Sequence, residues 1–182
     1  MTHEVLIAGF GGQGIMAMGT LLAYAGMLEE KNVSWLPSYG PEMRGGTAYC
    51  MVVISGEPVT SPLVTEPTAV IVMNNPSLEK FESWVRPGGL LVLNTSLVDL
   101  APERSDIRII RVPCNEIAEG LGSGKVANMV ALGAYIRADS PVKTASVLQS
   151  LRMALPERHH RMIPMNEKAL VMVAEQAEPS LT

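Results

Sequence analysis

The chain has 182 residues, of which 47% are hydrophobic and 18% are charged, and its formal net charge at pH 7 is −4. This length suits a single globular domain over residues 1–182, and the acidic balance argues against a nucleic-acid surface or a polybasic membrane patch. The start of the chain lacks the basic segment of a secretory signal, and no apolar run reaches the roughly 18 residues of a membrane span, so we expect a cytoplasmic protein.

The chain opens with an apolar strand that turns through glycines into a helix. The pattern predicts the strand at 4–9 and the helix at 14–29, with Gly9-Phe10-Gly11-Gly12-Gln13-Gly14 between them. Loops of this spacing hold phosphate in nucleotide-binding folds, because backbone N–H groups at a helix N-terminus bind an anion without a charged side chain. The alternative interpretation is a tight strand-to-helix turn that holds no ligand.

The position that would specify a dinucleotide carries no suitable residue. An NAD site places an acid about 20 residues after the glycine loop, but residues 33–38 read Val-Ser-Trp-Leu-Pro-Ser. This weakens the case for NAD or NADP. A P-loop is excluded as well, because residues 120–125 lack its glycine spacing and Val126 stands where Ser or Thr would ligate magnesium.

Strands and helices alternate along the rest of the chain. We predict strands near 33–36, 48–54, 70–74, 90–94 and 107–112, and helices near 76–85, 115–120, 125–138, 143–155 and 166–177. This alternation predicts an α/β fold, a Rossmann-like three-layer domain with a mostly parallel sheet. The stretch 36–48 is too short for a helical crossover, so strand 48–54 is predicted to run antiparallel and make the sheet mixed. Asn75 before Pro76 is the predicted cap of helix 76–85.

A second candidate segment lies between the second and third strands. It reads Ser38-Tyr39-Gly40-Pro41-Glu42-Met43-Arg44-Gly45-Gly46-Thr47. It follows a strand parallel to the first, so it belongs to the carboxyl edge of the sheet, where open α/β folds bind ligands. Asparagines 74, 75, 94 and 115 are expected at the same edge. Arg44 is suited to grip a phosphate or carboxylate, whereas a solvated ion pair with Glu42 is the alternative.

Two helices carry almost no polar surface. The stretch from Ile15 to Leu28 has no charged residue, and helix 125–138 is nearly as apolar. A helix that is apolar all round must be covered on both sides, so we expect the sheet on one side and another subunit on the other. A generously buried central helix is the alternative. Asn128 inside the second helix needs a partner if it is buried, and it could face the site together with Lys125.

Three segments together resemble one family, and the likeness runs from the first strand to about residue 175. They are Gly9-Phe10-Gly11-Gly12-Gln13-Gly14-Ile15, Ser38-Tyr39-Gly40-Pro41-Glu42-Met43-Arg44-Gly45-Gly46, and Lys125-Val126-Ala127-Asn128-Met129-Val130-Ala131-Leu132-Gly133-Ala134. The chain resembles the gamma subunit of 2-oxoacid:ferredoxin oxidoreductases, the pyruvate/ketoisovalerate oxidoreductase catalytic-domain family.

The resemblance implies one subunit of an enzyme that is divided over several chains. Family members oxidatively decarboxylate a 2-oxoacid with coenzyme A, giving acyl-CoA, carbon dioxide and reduced ferredoxin. Thiamine diphosphate with magnesium and iron–sulfur clusters are expected in the alpha, beta and, where present, delta subunits. This chain lacks a Gly-Asp-Gly thiamine signature, and its two cysteines cannot hold a cluster. We therefore expect no catalytic residue, no metal and no tightly bound cofactor in this chain alone, and ferredoxin as a partner of the whole complex.

The resemblance also gives the candidate site residues their roles. The expected cofactor contacts, to the phosphates of coenzyme A, are Gly9, Gly11, Gly12, Gln13, Gly14 and Arg44. The residues expected to face partner subunits or the active site are Tyr39, Gly40, Pro41, Glu42, Met43, Gly45, Gly46 and Asn128. Glu42 would orient Arg44 or bridge subunits.

Alternatives to this role remain open at the level of the sequence. One is the small subunit of indolepyruvate:ferredoxin oxidoreductase, which shares this domain, and another is a stand-alone nucleotide-binding regulatory module. A homodimer of the isolated chain also stays open, as does the choice among pyruvate, 2-oxoglutarate and branched-chain 2-oxoacids.

Overall fold

The computed structural model describes residues 1–38 and 47–176, without the side chains of 174–176. Its strands are β1 (Thr2–Phe10), β2 (Asn32–Ser38), β3 (Thr47–Ser55), β4 (Ala69–Val72), β5 (Leu90–Asn94) and β6 (Arg108–Val112). Its α-helices are α1 (Ile15–Leu28), α2 (Asn75–Phe81), α3 (Cys114–Gly120), α4 (Ala127–Asp139), α5 (Thr144–Ala154) and α6 (Ile163–Gln176). Each predicted strand and helix is present.

The six strands form one mixed sheet in the order β2-β3-β1-β4-β5-β6. Strand β3 runs antiparallel to both of its neighbours, whereas β1, β4, β5 and β6 pair in parallel. The antiparallel strand predicted from the short 36–48 connection is therefore confirmed. Five of the six strands end at the same edge, which places their carboxyl ends side by side.

The two faces of the sheet are covered unequally. Residues such as Val5 and Ile7 of β1 share a core with α1 and α4, and helices α5 and α6 complete this side. Residues such as Leu6 and Ala8 face α2 and the loops around it. The predicted three-layer α/β architecture is confirmed, with one thick helical layer and one thin layer.

The expectation that the apolar helices need another subunit on their outer sides is wrong for α4. All residues of α4 from 127 to 136 are buried within this chain. Helix α5 packs on α1 and helix α6 packs on α4, so a second layer of helices covers what the sheet does not. The alternative of a generously buried central helix is the correct one for α4.

The cap of α2 and the start of the last helix differ from those predicted. Asn74, not Asn75, is the cap of α2, because its side-chain Oδ1 accepts a hydrogen bond from the Ser77 N–H at 2.9 Å. The last helix begins at Ile163, three residues earlier than predicted, after a 3₁₀ turn over residues 157–162. Within the part of the chain that the structure describes, no helix has the length and apolarity needed to cross a bilayer.

Candidate functional site

At the carboxyl edge, the connections that follow β1 and β4 leave toward opposite faces of the sheet. From β1 the chain crosses through α1 on one face to β2, and from β4 it crosses through α2 on the other face to β5. The connections diverge at this point and leave a crevice, which is the usual ligand position in open α/β sheets. The glycine loop, residues 9–14, lies directly at this crevice.

Two glycines of the loop are required by its packing. Gly14 is the N-cap of α1 and has a φ of +75°, which favours glycine. A Cβ atom on Gly14 would also collide with the Asn128 amide, and one on Gly9 would lie 2.5 Å from Gln13 Oε1. Gly12 has a φ of +92° but open space around it, so the loop is exposed there.

The Gln13 side chain closes the crevice between the two strands. Its Oε1 atom accepts a hydrogen bond from the Phe10 N–H at 2.6 Å, and its Nε2 donates to the Met73 carbonyl at 3.2 Å. Both ends of this amide are therefore used to hold β1 against the end of β4. In this geometry the Gln13 side chain positions the loop, and its predicted contact with a cofactor stays a prediction.

A polar cleft of about 230 Å³ lies beside this closed crevice, between the glycine loop and the start of α4. It is lined by Gly12, Gln13, Met73, Asn115, Gly124, Lys125, Ala127 and Asn128. The sequence predicted that the glycine loop and Asn128 belong to one site, and the structure brings them together. It also brings in Gly124 and Lys125, from the segment whose spacing excludes a P-loop.

Asn128 is only 9% exposed, and its hydrogen bonding is incomplete. Its Nδ2 donates weakly to the Gly14 carbonyl at 3.5 Å, and among the described residues its Oδ1 has no partner. A buried side-chain oxygen normally has a hydrogen-bond partner. The unpaired oxygen of Asn128 is therefore an exception that the described residues do not explain.

A network of asparagines orders the outer wall of the cleft. The Asn94 Nδ2 donates to Asn115 Oδ1 at 2.8 Å, and the Asn94 Oδ1 accepts from the Ser96 and Cys114 N–H groups. The Asn115 N–H in turn donates to Ser96 Oγ at 3.0 Å. This network fixes the Asn115 side chain, which lines the cleft. Asn74 and Asn75 follow β4, Asn94 ends β5 and Asn115 follows β6, so all four asparagines lie at the expected edge.

The second candidate segment, residues 39–46, lies outside the described residues. This covers Tyr39, Gly40, Pro41, Glu42, Met43, Arg44, Gly45 and Gly46, whose predicted roles stay predictions. The strands at its two ends are described: Thr47 pairs with Phe10, and Ser38 pairs with Tyr49. The two flanking residues, Ser38 and Thr47, therefore lie at the carboxyl edge, and Thr47 lies beside the start of the glycine loop. In the glycine loop, residues 9–14, Gly11 is exposed.

The thiols offer no reactive group at this edge. Burial raises the pKa of Cys50 and of Cys114 to about 12 in each case. A thiol with such a pKa is almost entirely protonated at neutral pH and is a poor nucleophile or metal ligand. Within residues 1–38 and 47–176, no group of three or more His, Cys, Asp or Glu side chains is placed to hold a metal ion.

Sequence reasoning missed one contact that organises the site. The acceptor for Gln13 is the backbone carbonyl of Met73, 60 positions away in the sequence. No side-chain pattern signals a carbonyl at a strand end. Lys125 was predicted to face the site together with Asn128, and the structure places both residues at the cleft.

A sequence profile described as pyruvate ferredoxin/flavodoxin oxidoreductase matches residues 4–176. The chain is 48% identical over 130 residues to ketoisovalerate oxidoreductase subunit VorA of Methanothermobacter marburgensis, an alignment that covers 71% of this chain and 27% of VorA. The chain thus spans about a quarter of the length of that relative. It is 34% identical over 161 residues to 2-oxoglutarate synthase subunit KorC of Methanocaldococcus jannaschii, which covers 86% of each protein.

Solved structures share the fold. The gamma subunit of a keto/oxoacid ferredoxin oxidoreductase from Geobacter sulfurreducens has 27% identity and a TM-score of 0.84, over 95% of this chain and 94% of that one. A 2-oxoglutarate:ferredoxin oxidoreductase from Magnetococcus marinus, solved with 2-oxoglutarate, coenzyme A and succinyl-CoA bound, has 21% identity and a TM-score of 0.85. That alignment covers 95% of this chain and 30% of the other.

Proposed function

The chain belongs to the pyruvate ferredoxin/flavodoxin oxidoreductase family, and from that premise we propose that it is the gamma-type component of a multi-subunit 2-oxoacid:ferredoxin oxidoreductase. The complete enzyme would convert a 2-oxoacid and coenzyme A into an acyl-CoA and carbon dioxide while it reduces ferredoxin. The observation that carries this proposal is the end-to-end match with a solved gamma subunit, which covers 95% of this chain and 94% of that one.

We assign this chain a supporting role in the reaction, without a catalytic group of its own. The described residues do not fit an iron–sulfur cluster, because Cys50 and Cys114 are buried apart from any group of metal-binding side chains. The sequence also lacks the Gly-Asp-Gly motif for thiamine diphosphate. We therefore assign the carbanion chemistry and the electron transfer to alpha, beta and delta partners, and no step of either to this chain.

The carboxyl edge is the surface that we assign to those partners. Three apolar side chains are exposed at or just after strand ends: Phe10, the last residue of β1, is 37% exposed, and Leu97 and Leu100, which follow β5, are 45% and 42% exposed. Protein interfaces usually have an apolar centre inside a polar rim, and these exposed apolar side chains would supply part of such a centre. The segment from Tyr39 to Gly46 starts and ends at the same edge, so it would face the same partner.

Coenzyme A is the ligand that this edge would contact. The glycine loop would offer backbone N–H donors to a phosphate, and Arg44 would add a positive charge. The cleft of about 230 Å³ is below the range of roughly 300–1,000 Å³ that is usual for whole small-molecule sites. The rest of coenzyme A would then lie against partner subunits, in keeping with an incomplete site in this chain.

The relatives named above differ in substrate. One acts on ketoisovalerate and another on 2-oxoglutarate, judging by their names, and the family description names pyruvate. The 48% identity to VorA makes ketoisovalerate the first 2-oxoacid to test. Nothing in these names points to indolepyruvate.

A substrate screen on the assembled enzyme tests the proposal. The chain would be tagged and co-expressed with the subunits encoded beside it, and the purified complex would be assayed for ferredoxin reduction with and without coenzyme A. We expect CoA-dependent reduction with ketoisovalerate, 2-oxoglutarate or pyruvate. Activity with indolepyruvate alone would favour the alternative enzyme, and failure of the tagged chain to bring down any neighbouring subunit would contradict the proposal.

A further inference from the structure

The loop between β3 and β4 exposes a large apolar side chain at the end of the sheet away from the candidate site. Strand β3 ends at Ser55, which pairs with the first residue of β1, and β4 begins at Ala69. The loop therefore lies at the amino edge of the sheet, opposite the carboxyl edge. Within it Leu63 is 63% exposed, more than any other large apolar side chain among the described residues except the terminal Met1.

The loop holds Leu63 in place from both sides. Pro62 before it has a fixed φ, and the Leu63 N–H donates to Ser61 Oγ at 3.1 Å. Val64 after it is buried in the core of the thin layer. Because these contacts already order the loop, little conformational entropy would be lost when Leu63 binds a partner.

A groove of about 520 Å³ lies next to the loop at the same edge. Thr65 and Glu66 of the loop line one part of it, and the segment before β5 lines another part with the apolar side chains of Trp84, Val85 and Pro87. The groove has room for a leucine side chain and apolar surface to contact it. A protruding apolar side chain and a hollow that suits it thus lie side by side.

Arg104, which also lines the groove, fixes its shape. Its Nη1 donates to the Val85 carbonyl, its Nε donates to Asp106 Oδ1 at 2.8 Å, and its backbone N–H donates to Glu82 Oε1 at 2.8 Å. These hydrogen bonds tie the segment before β6 to the segment before β5. They also pair the Arg104 charge within the chain.

Two further charges of the groove, those of Glu66 and Arg86, are not paired in this way. Both side chains are exposed, and neither forms an ion pair with another described residue. We call residues 61–66 and 83–87 the amino-edge patch. A surface that meets its own copy across a two-fold axis must contain the complement of each of its features. This patch does so, because it carries both charges, the protrusion and the hollow.

We propose that the amino-edge patch binds a second copy of the chain around a two-fold axis. Leu63 of each copy inserts into the groove of the other copy, and Glu66 of each pairs with Arg86 of the other. A different protein would need only one member of each complementary pair, whereas the presence of both members on one patch favours self-association. The carboxyl edge stays open in this dimer, so the dimer does not depend on the proposed function.

Sedimentation equilibrium of the full chain tests the dimer. We expect a monomer–dimer equilibrium with a dissociation constant in the micromolar range, as is usual for small interfaces. Leu63→Lys should weaken the dimer at least about tenfold, because it places an ammonium group in an apolar groove beside Arg86 and Arg104. Leu63 is exposed, so this variant should unfold at the wild-type temperature. Val171→Lys is the matched control, since it adds the same charge at a 47% exposed position of α6, on the thick layer, and should dimerise as the wild type does.

A charge exchange tests the predicted pairing across the two-fold axis. Glu66→Arg and Arg86→Glu should each weaken the dimer about tenfold, because each substitution brings like charges together twice in a symmetric contact. The chain with both substitutions has the wild-type net charge and again places opposite charges across the contact. It should therefore dimerise within about threefold of the wild type.

Three results would overturn the proposal. One is a wild-type chain that stays monomeric at about 1 mM. Another is equal dimerisation of Leu63→Lys and Val171→Lys, and the third is a double charge exchange that dimerises no better than either single substitution. If the wild-type chain is monomeric and Leu63→Lys instead reduces co-purification of neighbouring subunits, the patch binds a different protein. CoA-dependent activity of the assembled enzyme tests the proposed function separately, so either proposal can fail alone.

Discussion

Gly14 and Gly88 have nearly the same backbone conformation, with φ values of +75° and +73°, but different surroundings. An added Cβ would collide with Asn128 at position 14, whereas it would meet no described atom within 4 Å at position 88. Alanine in this conformation costs about 1–2 kcal/mol at either position. We therefore expect Gly14→Ala to destabilise the chain by at least about 1 kcal/mol more than Gly88→Ala does.

Urea unfolding of the two variants measures this difference in the free energy of unfolding. Adding Asn128→Ala to Gly14→Ala should remove most of the excess, because the amide that causes the collision is gone. Equal destabilisation by the two glycine substitutions would show that the loop and α4 are not in contact.

At the residue scale, the sequence predicted which residues belong to the candidate site better than it predicted which atoms they contact. The glycine spacing predicted the strand-to-helix loop, and Asn128 was predicted to face the same site. The hydrogen bonds of Gln13 to Phe10 and Met73 could not be predicted, because they depend on how far apart β1 and β4 end. The roles of Arg44 and Glu42 remain predictions.

Helices α4 and α6 contact each other closely at a single glycine. A Cβ on Gly133 would lie 3.0 Å from the Leu170 carbonyl carbon and still closer to its oxygen. Because a backbone carbonyl cannot rotate away as a flexible side chain can, Gly133→Ala should push the two helices apart. We expect a net loss of about 1–3 kcal/mol, although alanine has the higher helix propensity.

Gly120→Ala is the control for that substitution. Gly120 ends α3 and has no described atom within 4 Å of an added Cβ, so its replacement should leave stability unchanged or raise it by up to about 1 kcal/mol. Thermal unfolding of both variants distinguishes the cases. A stabilised Gly133→Ala chain would be incompatible with the packing of α6 on α4.

Glu29 links the end of α1 to the start of α5. Burial alone would raise the pKa of Glu29, but hydrogen bonds from the Lys143 N–H and Ser146 hydroxyl, together with the Lys31 ammonium, hold this pKa below its usual value of 4.5. A carboxyl whose pKa is lower in the folded state stabilises the fold above its unfolded pKa. This stabilisation is lost as the pH falls through the folded pKa.

We expect Glu29→Gln to cost about 1 kcal/mol at pH 7 and progressively less below pH 4.5. Unfolding curves at a series of pH values would show the wild type losing stability more steeply than the variant in this acidic window. Glu30→Gln, which changes an exposed neighbour, serves as the control. A constant difference between wild type and Glu29→Gln at every pH would reject the link.

At the scale of elements, local patterns were sufficient for nearly all of the secondary structure. The connection over 36–48 predicted the antiparallel strand, because a helical crossover does not fit in so few residues. The outer layer of α5 and α6 was not predicted, since stacking of one helix on another depends on long-range packing. That layer is the reason why the apolar character of α4 did not indicate a partner.

In the part of the molecule that the structure describes, one six-stranded sheet is packed by helices, and the candidate site lies at its carboxyl edge. The fold and the family were predictable from three segments and the strand–helix alternation, and both are confirmed. The proposed partner surface was not predictable from helix composition. That the exposed Phe10, Leu97 and Leu100 lie at or just after strand ends became apparent only once the strands were placed in order.

Dependence of the enzyme on this chain is the central claim, and an add-back titration tests it most directly. Partner subunits purified without the chain would be assayed for CoA-dependent ferredoxin reduction while the purified chain is added in increasing amounts. We predict little activity at the start and a rise to a plateau at a fixed molar ratio. Full activity of the partners before any chain is added would contradict the account.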